Sequence, residues 1–237
     1  GPLQENFERF LAVRKREIAA RVSRKYSKGR SAEEKQALRE LFVSTVLGYV
    51  GCPYSHRPHP EDSPLRALPA LDCCGLIRRA QQDLYAELGF QPLGFNQAYQ
   101  FDTLPDRYES HTEMKRGDLI FYQGVYKREN AKQQRHHMVH VEMYLGPDER
   151  CVGSRFRTKT IREFDSFKFN STKWDLEKMH FCSIDPWLDG VCASSCPVHQ
   201  WGSDLETGHK MRKSSIFYTP PDEMTELESM NAGSEGE

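Results

Sequence analysis

The run Leu71-Asp72-Cys73-Cys74-Gly75-Leu76-Ile77 sets a thiol at the opening of a helix. Behind it Leu76, Ile77, Ala80, Leu84 and Leu88 recur at helical spacing, and Gly89 ends the pattern. Asp72 is a good N-cap. A free thiol ionises only near about 8.5, and a helix N-terminus lowers that value because its unpaired N–H groups favour an anion. The same N–H groups are placed to hold a developing oxyanion.

An activated thiol also needs a base, which in such pairs comes from elsewhere in the chain. Of nine histidines, His140 fits best. It lies in the apolar run Val139-His140-Val141-Glu142-Met143-Tyr144-Leu145-Gly146, where a buried imidazole requires a reason. Strand alternation puts His140, Glu142 and Tyr144 on one face and Val141, Met143 and Leu145 on the other. Taken separately, such residues are more often a core thiol and a satisfied core imidazole.

From about residue 114 the pattern is that of strands, over 118–122, 139–145, 150–156, 159–164 and 180–184. The segment from Gln123 to Met138 reads as a long insert. Upstream the pattern is helical. A helix starts at Ser31, where Ser31 and Glu34 form a capping box, and runs through Leu38, Leu41, Phe42 and Val46 toward Gly51. Helices followed by strands describe an α+β domain with helices packed on an antiparallel sheet.

The ends differ in charge. Residues 9–30 carry nine Lys and Arg against Glu17 alone, which gives a basic helical extension over 1–30 with a solvated face as its plainer reading. The domain proper is expected over 31–205 and a tail over 206–237, disordered and acidic from about 222. A net charge of −1 argues against a general nucleic-acid binder. No stretch reaches the roughly 20 apolar residues of a membrane span and no apolar leader opens the chain, so neither a membrane nor a nucleic-acid partner is expected. Seven cysteines at irregular spacing point to free thiols in a reducing, cytoplasmic setting. Cys182, Cys192, Cys196 and His199 have zinc-ligand chemistry, but only one pair of gaps is short, so free cysteines without metal or cofactor are the preferred reading.

Four motifs in order resemble the NlpC-type papain-like cysteine peptidases, best known as bacterial cell-wall amidases. They are Gly51-Cys52-Pro53-Tyr54, Asp72-Cys73-Cys74-Gly75-Leu76, Arg116-Gly117-Asp118-Leu119 and His140-Val141-Glu142-Met143-Tyr144-Leu145-Gly146. The resemblance covers residues 40–165. It implies a papain-like fold and hydrolysis of an amide or isopeptide bond through a Cys73 thioester, with His140 as base. Tyr54 would stand beside the thiol and help the oxyanion, and Asp72 would face the amine side of the substrate. Cys74 replaces the usual Ser and is a second thiol within reach. The family's third polar residue, often His, falls here near Gly153, which leaves Ser154 or Glu142 to orient the base, and Glu142 also counts among the cleft residues. Glu142 replaces the usual Gly. Some eukaryotic relatives resemble fusions to tubulin-ligase-like modules, which implies a protein or peptide substrate with an acidic tail, such as tubulin. A catalytically inactive interaction module and a thioester-based acyltransferase are the rival readings.

Overall fold

The computed structural model describes residues 29–57, 59–69 and 71–195. The basic extension before residue 29, Cys196, His199 and the acidic tail lie outside the described residues.

Helix α1 (Ala32–Leu47) begins where the capping box puts it. The Ser31 hydroxyl accepts from the Glu34 amide, and the Glu34 carboxylate accepts from the Ser31 amide at 2.6 Å. Leu38, Phe42, Val43 and Val46 give it one buried stripe. Helix α2 (Cys73–Asp83) carries the thiols, breaks at Leu84, and resumes as the one-turn α3 (Tyr85–Leu88), which Gly89 closes in the left-handed region. Two further short helices follow, α4 (Gln97–Asp102) and, after the strands, α5 (Asp185–Leu188). Neither showed in the apolar periodicity, since one turn or two is too short to display it.

Six antiparallel strands form one sheet in the order β1-β6-β2-β3-β4-β5. These are β1 (Arg107–Tyr108), β2 (Leu119–Tyr126), β3 (Met138–Tyr144), β4 (Cys151–Ser154), β5 (Ile161–Phe164) and β6 (Trp174–Cys182). The α+β architecture of helices on an antiparallel sheet is therefore as the sequence pattern anticipates. Leu119, Ile120, Phe121 and Tyr122 are all fully buried, which explains why β2 reads as an unbroken apolar run: both its faces are covered. Phe121 packs on Phe101 of α4, while Ile120 and Tyr122 join Tyr144, Cys151, Phe167 and Trp174 on the far side.

Two strand expectations need correction. β2 does not stop at Tyr122 but continues to Tyr126, so the supposed insert opens as strand. It passes Gly124, where a Cβ would collide with the Asp175 carbonyl of β6, so only glycine admits that close pairing. The last strand begins at Trp174 rather than 180 because it pairs along this longer β2.

The Arg116-Gly117-Asp118-Leu119 motif turns out to be a joint between elements. Gly117 has φ +94°, and a Cβ there would lie 2.9 Å from Val43 of α1. Fully buried Asp118 accepts from Arg39 of α1 at 2.6 Å and from the amides of Lys115 and Ile184. Arg39 also meets Asp185 of α5 at 2.6 Å. Among the described residues no helix is long and apolar enough to cross a membrane.

Candidate active site

Cys73 stands at the first position of α2, and three bonds fix that corner. The Asp72 carboxylate caps the helix through the Gly75 amide at 2.8 Å. Gln100 of α4 donates its side-chain amide to the Cys74 carbonyl at 2.9 Å. Ser154 of β4 donates its hydroxyl to the Leu71 carbonyl at 3.1 Å. The Cys73 side chain is half-buried, whereas Cys74 is 5% exposed with its thiol turned onto Asp72 at 3.4 Å.

The Cys73 sulfur lies against the backbone amide of Val141, the residue after His140. That places the N-terminus of α2 on β3, the strand that carries His140. His140 is 6% exposed, ringed by Tyr122, Phe169 and Trp174 at 5.2, 5.5 and 6.0 Å between centroids. Its Nε2 lies 2.9 Å from Oε1 of Glu142. Burial would raise the Glu142 carboxyl, but Arg155 and His140 outweigh it and hold the group at about 2. An ionised carboxylate only accepts, so Nε2 donates a proton in this bond.

Three sequence expectations change here. The Ser154 hydroxyl is bonded to the Leu71 carbonyl and, among the described residues, no hydrogen bond joins it to His140. Glu142 is no cleft residue: it is 1% exposed and grips the far nitrogen of His140. Nor is Cys73 a low-pKa thiolate at rest. The Cys74 thiol, burial and the Asp72 carboxylate raise it well above the ordinary value, against the pull of the Val141 amide. The dipole of the helix is offset by an anion at its own cap.

Tyr54 lies near the thiol, its hydroxyl 2.6 Å from Nε2 of His56, whose Nδ1 is 3.0 Å from Oδ2 of Asp72. Burial, then Cys73 and Asp72, push the Tyr54 phenol up, so it stays protonated and able to donate. Asp72 serves as an N-cap and His56 acceptor rather than as an open anion. His56 is a residue the sequence reading missed, and so is Tyr126 at the end of β2. The Tyr126 phenol is raised by burial and then by Cys73 and Cys74, which brings it to the same corner. Neither carried a sequence signal: one sits in a loop of prolines and histidines, the other in the presumed insert. Among the described residues no group of three or more His, Cys, Asp or Glu is placed to hold a metal ion, and the six described cysteines are free. Two of the four suggested zinc ligands lie outside the described residues.

No family model matches this chain, and no curated protein does either. Among solved structures it is similar to the peptidoglycan hydrolase RipB of Mycobacterium tuberculosis, at 19% identity over 65% of this chain and 67% of that one, with a TM-score of 0.42. The P60 domain of a Mycobacterium avium subspecies paratuberculosis antigen is similar at 19% identity over 63% of this chain and 95% of that one, TM-score 0.40. RipD of Mycobacterium tuberculosis, described as a non-catalytic NlpC/p60 domain protein adapted to peptidoglycan binding, is similar at 16% identity over 62% and 96%, TM-score 0.39. At such identities and TM-scores the likeness carries no functional weight, and the reading below rests on the geometry of the site.

Proposed function

We propose that this chain is a cysteine amide hydrolase of NlpC/p60 type, with Cys73 as nucleophile, His140 as base and Glu142 as the group that orients the base. The observation that carries this reading is the buried His140 Nε2–Glu142 bond on the strand whose next amide, that of Val141, meets the Cys73 thiol. A raised thiol fits general-base catalysis better than a standing ion pair. As Sγ attacks the carbonyl carbon, its proton passes to Nδ1 of His140 and the carbonyl electrons move onto oxygen. The first-turn amides of α2 are the donors offered to that oxyanion. The Tyr54 hydroxyl, which meets His56 in the resting site, would have to leave that bond to join them. Collapse of the intermediate breaks the C–N bond while His140 returns the proton to the leaving amine. The thioester is then cleaved by water, whose proton His140 accepts and hands back to sulfur as the acid product leaves.

For the substrate we propose a glutamate-rich peptide or protein tail, tubulin's included, joined by an amide or isopeptide bond. The mouth beside Tyr54 supports it. Phe156 packs edge-on to Tyr54 at 5.7 Å, Lys173 covers Phe156, and Arg57, Arg157 and Lys159 are exposed on the flanking loops.

The test is selective alkylation of Cys73 by iodoacetamide, followed by peptide mass spectrometry across pH. The reading expects Cys73 to react faster than Cys52 and Cys192, and His140→Ala to slow it by about 100-fold or more. Equal labelling of all three thiols, indifferent to His140, would sink the hydrolase and leave the interaction module.

A further inference from the structure

Arg155 follows β4 and turns its guanidinium back under β3. Nε donates to Oε1 of Glu142 at 2.6 Å and Nη2 to Oε2 at 2.9 Å, a two-pronged grip on one carboxylate. Nη2 also reaches the Ser166 carbonyl at 2.9 Å. The guanidinium carbon lies 3.6 and 3.8 Å from the ring centroids of Phe164 and Phe169, so two aromatic faces hold the plane of the fork. The remaining groups on the carboxylate are His140 Nε2, the Cys151 thiol at 3.0 Å and the Tyr122 hydroxyl at 3.2 Å. Every donor except the imidazole is a structural anchor.

The room for this arrangement comes from the neighbouring strand. Gly153 of β4 stands opposite Glu142, and a Cβ there would lie 2.7 Å from Cγ and 2.9 Å from Oε1 of that side chain. Glycine at 153 is therefore a condition for the carboxylate at 142, and a side chain at 153 would point to the place the carboxylate now fills.

We infer that Arg155 is the positioning residue of this site: its fork fixes the Glu142 carboxylate in the space left by Gly153, and thereby the Nε2–H tautomer and ring plane of His140. The depressed Glu142 carboxyl agrees with that geometry. The inference rests on the hydrolase reading for its effect on reactivity, and on the geometry alone for its effect on the imidazole.

Two measurements on the full chain separate these. Nitrogen NMR of His140 reads the tautomer, and the pH–rate profile of Cys73 alkylation reads the base. They are made on wild type, Arg155→Lys, Arg155→Gln, Glu142→Gly and the exchange variant Glu142→Gly/Gly153→His. Wild type is expected in the Nε2–H form. Arg155→Gln should mix the tautomers and slow Cys73 alkylation by about tenfold or more, with Arg155→Lys between the two because it keeps the charge and loses the fork. The exchange variant should regain rate over Glu142→Gly. A melting curve checks folding, and if Arg155→Gln unfolds, Arg155→Lys carries the comparison. Wild-type tautomer and profile in the Arg155 variants would overturn the role of Arg155, and an exchange variant no faster than Glu142→Gly that of Gly153. If wild-type Cys73 lacks selective reactivity, the hydrolase falls while the tautomer result still decides the clamp.

Discussion

Two fully buried carboxylates in this fold meet an arginine, and they serve different ends. Asp118 accepts from Arg39 and from the backbone amides of Lys115 and Ile184, so its partners are a permanent cation and the main chain. Glu142 accepts from Arg155 and from an imidazole. The first cluster ties α1, β2 and α5 together and contains no group that exchanges a proton near neutral pH. The second holds an imidazole, His140, next in the strand to the Val141 amide that meets the Cys73 thiol. A saturated ion cluster of fixed charges is architecture, and the histidine is what makes the second a candidate site.

That contrast breaks most directly through stability. Asp118→Ala leaves Arg39 buried with one carboxylate in place of two and should cost about 3–5 kcal/mol in urea unfolding, without changing how fast Cys73 of the folded fraction is alkylated. A Glu142→Gln variant that proved the more destabilised of the two would reverse the assignment. Acid sharpens it next. The folded Glu142 carboxyl lies at about 2, below its ordinary 4.5, so its contribution is complete above about 4.5 and disappears as pH falls through 2. The shift corresponds to about 3 kcal/mol. Urea midpoints taken between pH 5 and 2 should fall more steeply for wild type than for Glu142→Gln, and parallel curves would contradict this. The smallest effect belongs to Ser154. Ser154→Ala removes its bond to the Leu71 carbonyl and should cost about 1 kcal/mol, with Cys73 alkylation unchanged. A slowed alkylation would return Ser154 to the base.

Much of the fold was legible because it rests on local rules. The capping box at Ser31, the run behind Cys73 and the alternation around His140 each declare an element within a few residues. The thiol and the imidazole were legible for the same reason, as polar groups at places where apolar neighbours make them conspicuous. Arg155 was not, since nothing in Ser154-Arg155-Phe156 says that the guanidinium folds back between Phe164 and Phe169. Glu142 was named both as a cleft residue and as a possible partner of His140, and the choice between the two depends on Gly153, a cross-strand neighbour that only the register reveals. The direction of the Cys73 shift was misread because the helix start was weighed without the Cys74 thiol, burial and the Asp72 carboxylate, which push the thiol up.

Because Glu142 and His140 are two residues apart on β3, the imidazole and its acceptor travel as one piece. β3 is hydrogen-bonded to β2 in the middle of the sheet, whereas β4 pairs with it through only Met143–Val152 and Tyr144–Cys151, and β5 is the edge. Fraying that starts from the edge would release Arg155 with β4 and β5 before it parts His140 from Glu142. In hydrogen exchange the amides of β5 and β4 would open first, and the base would lose its clamp while keeping its carboxylate.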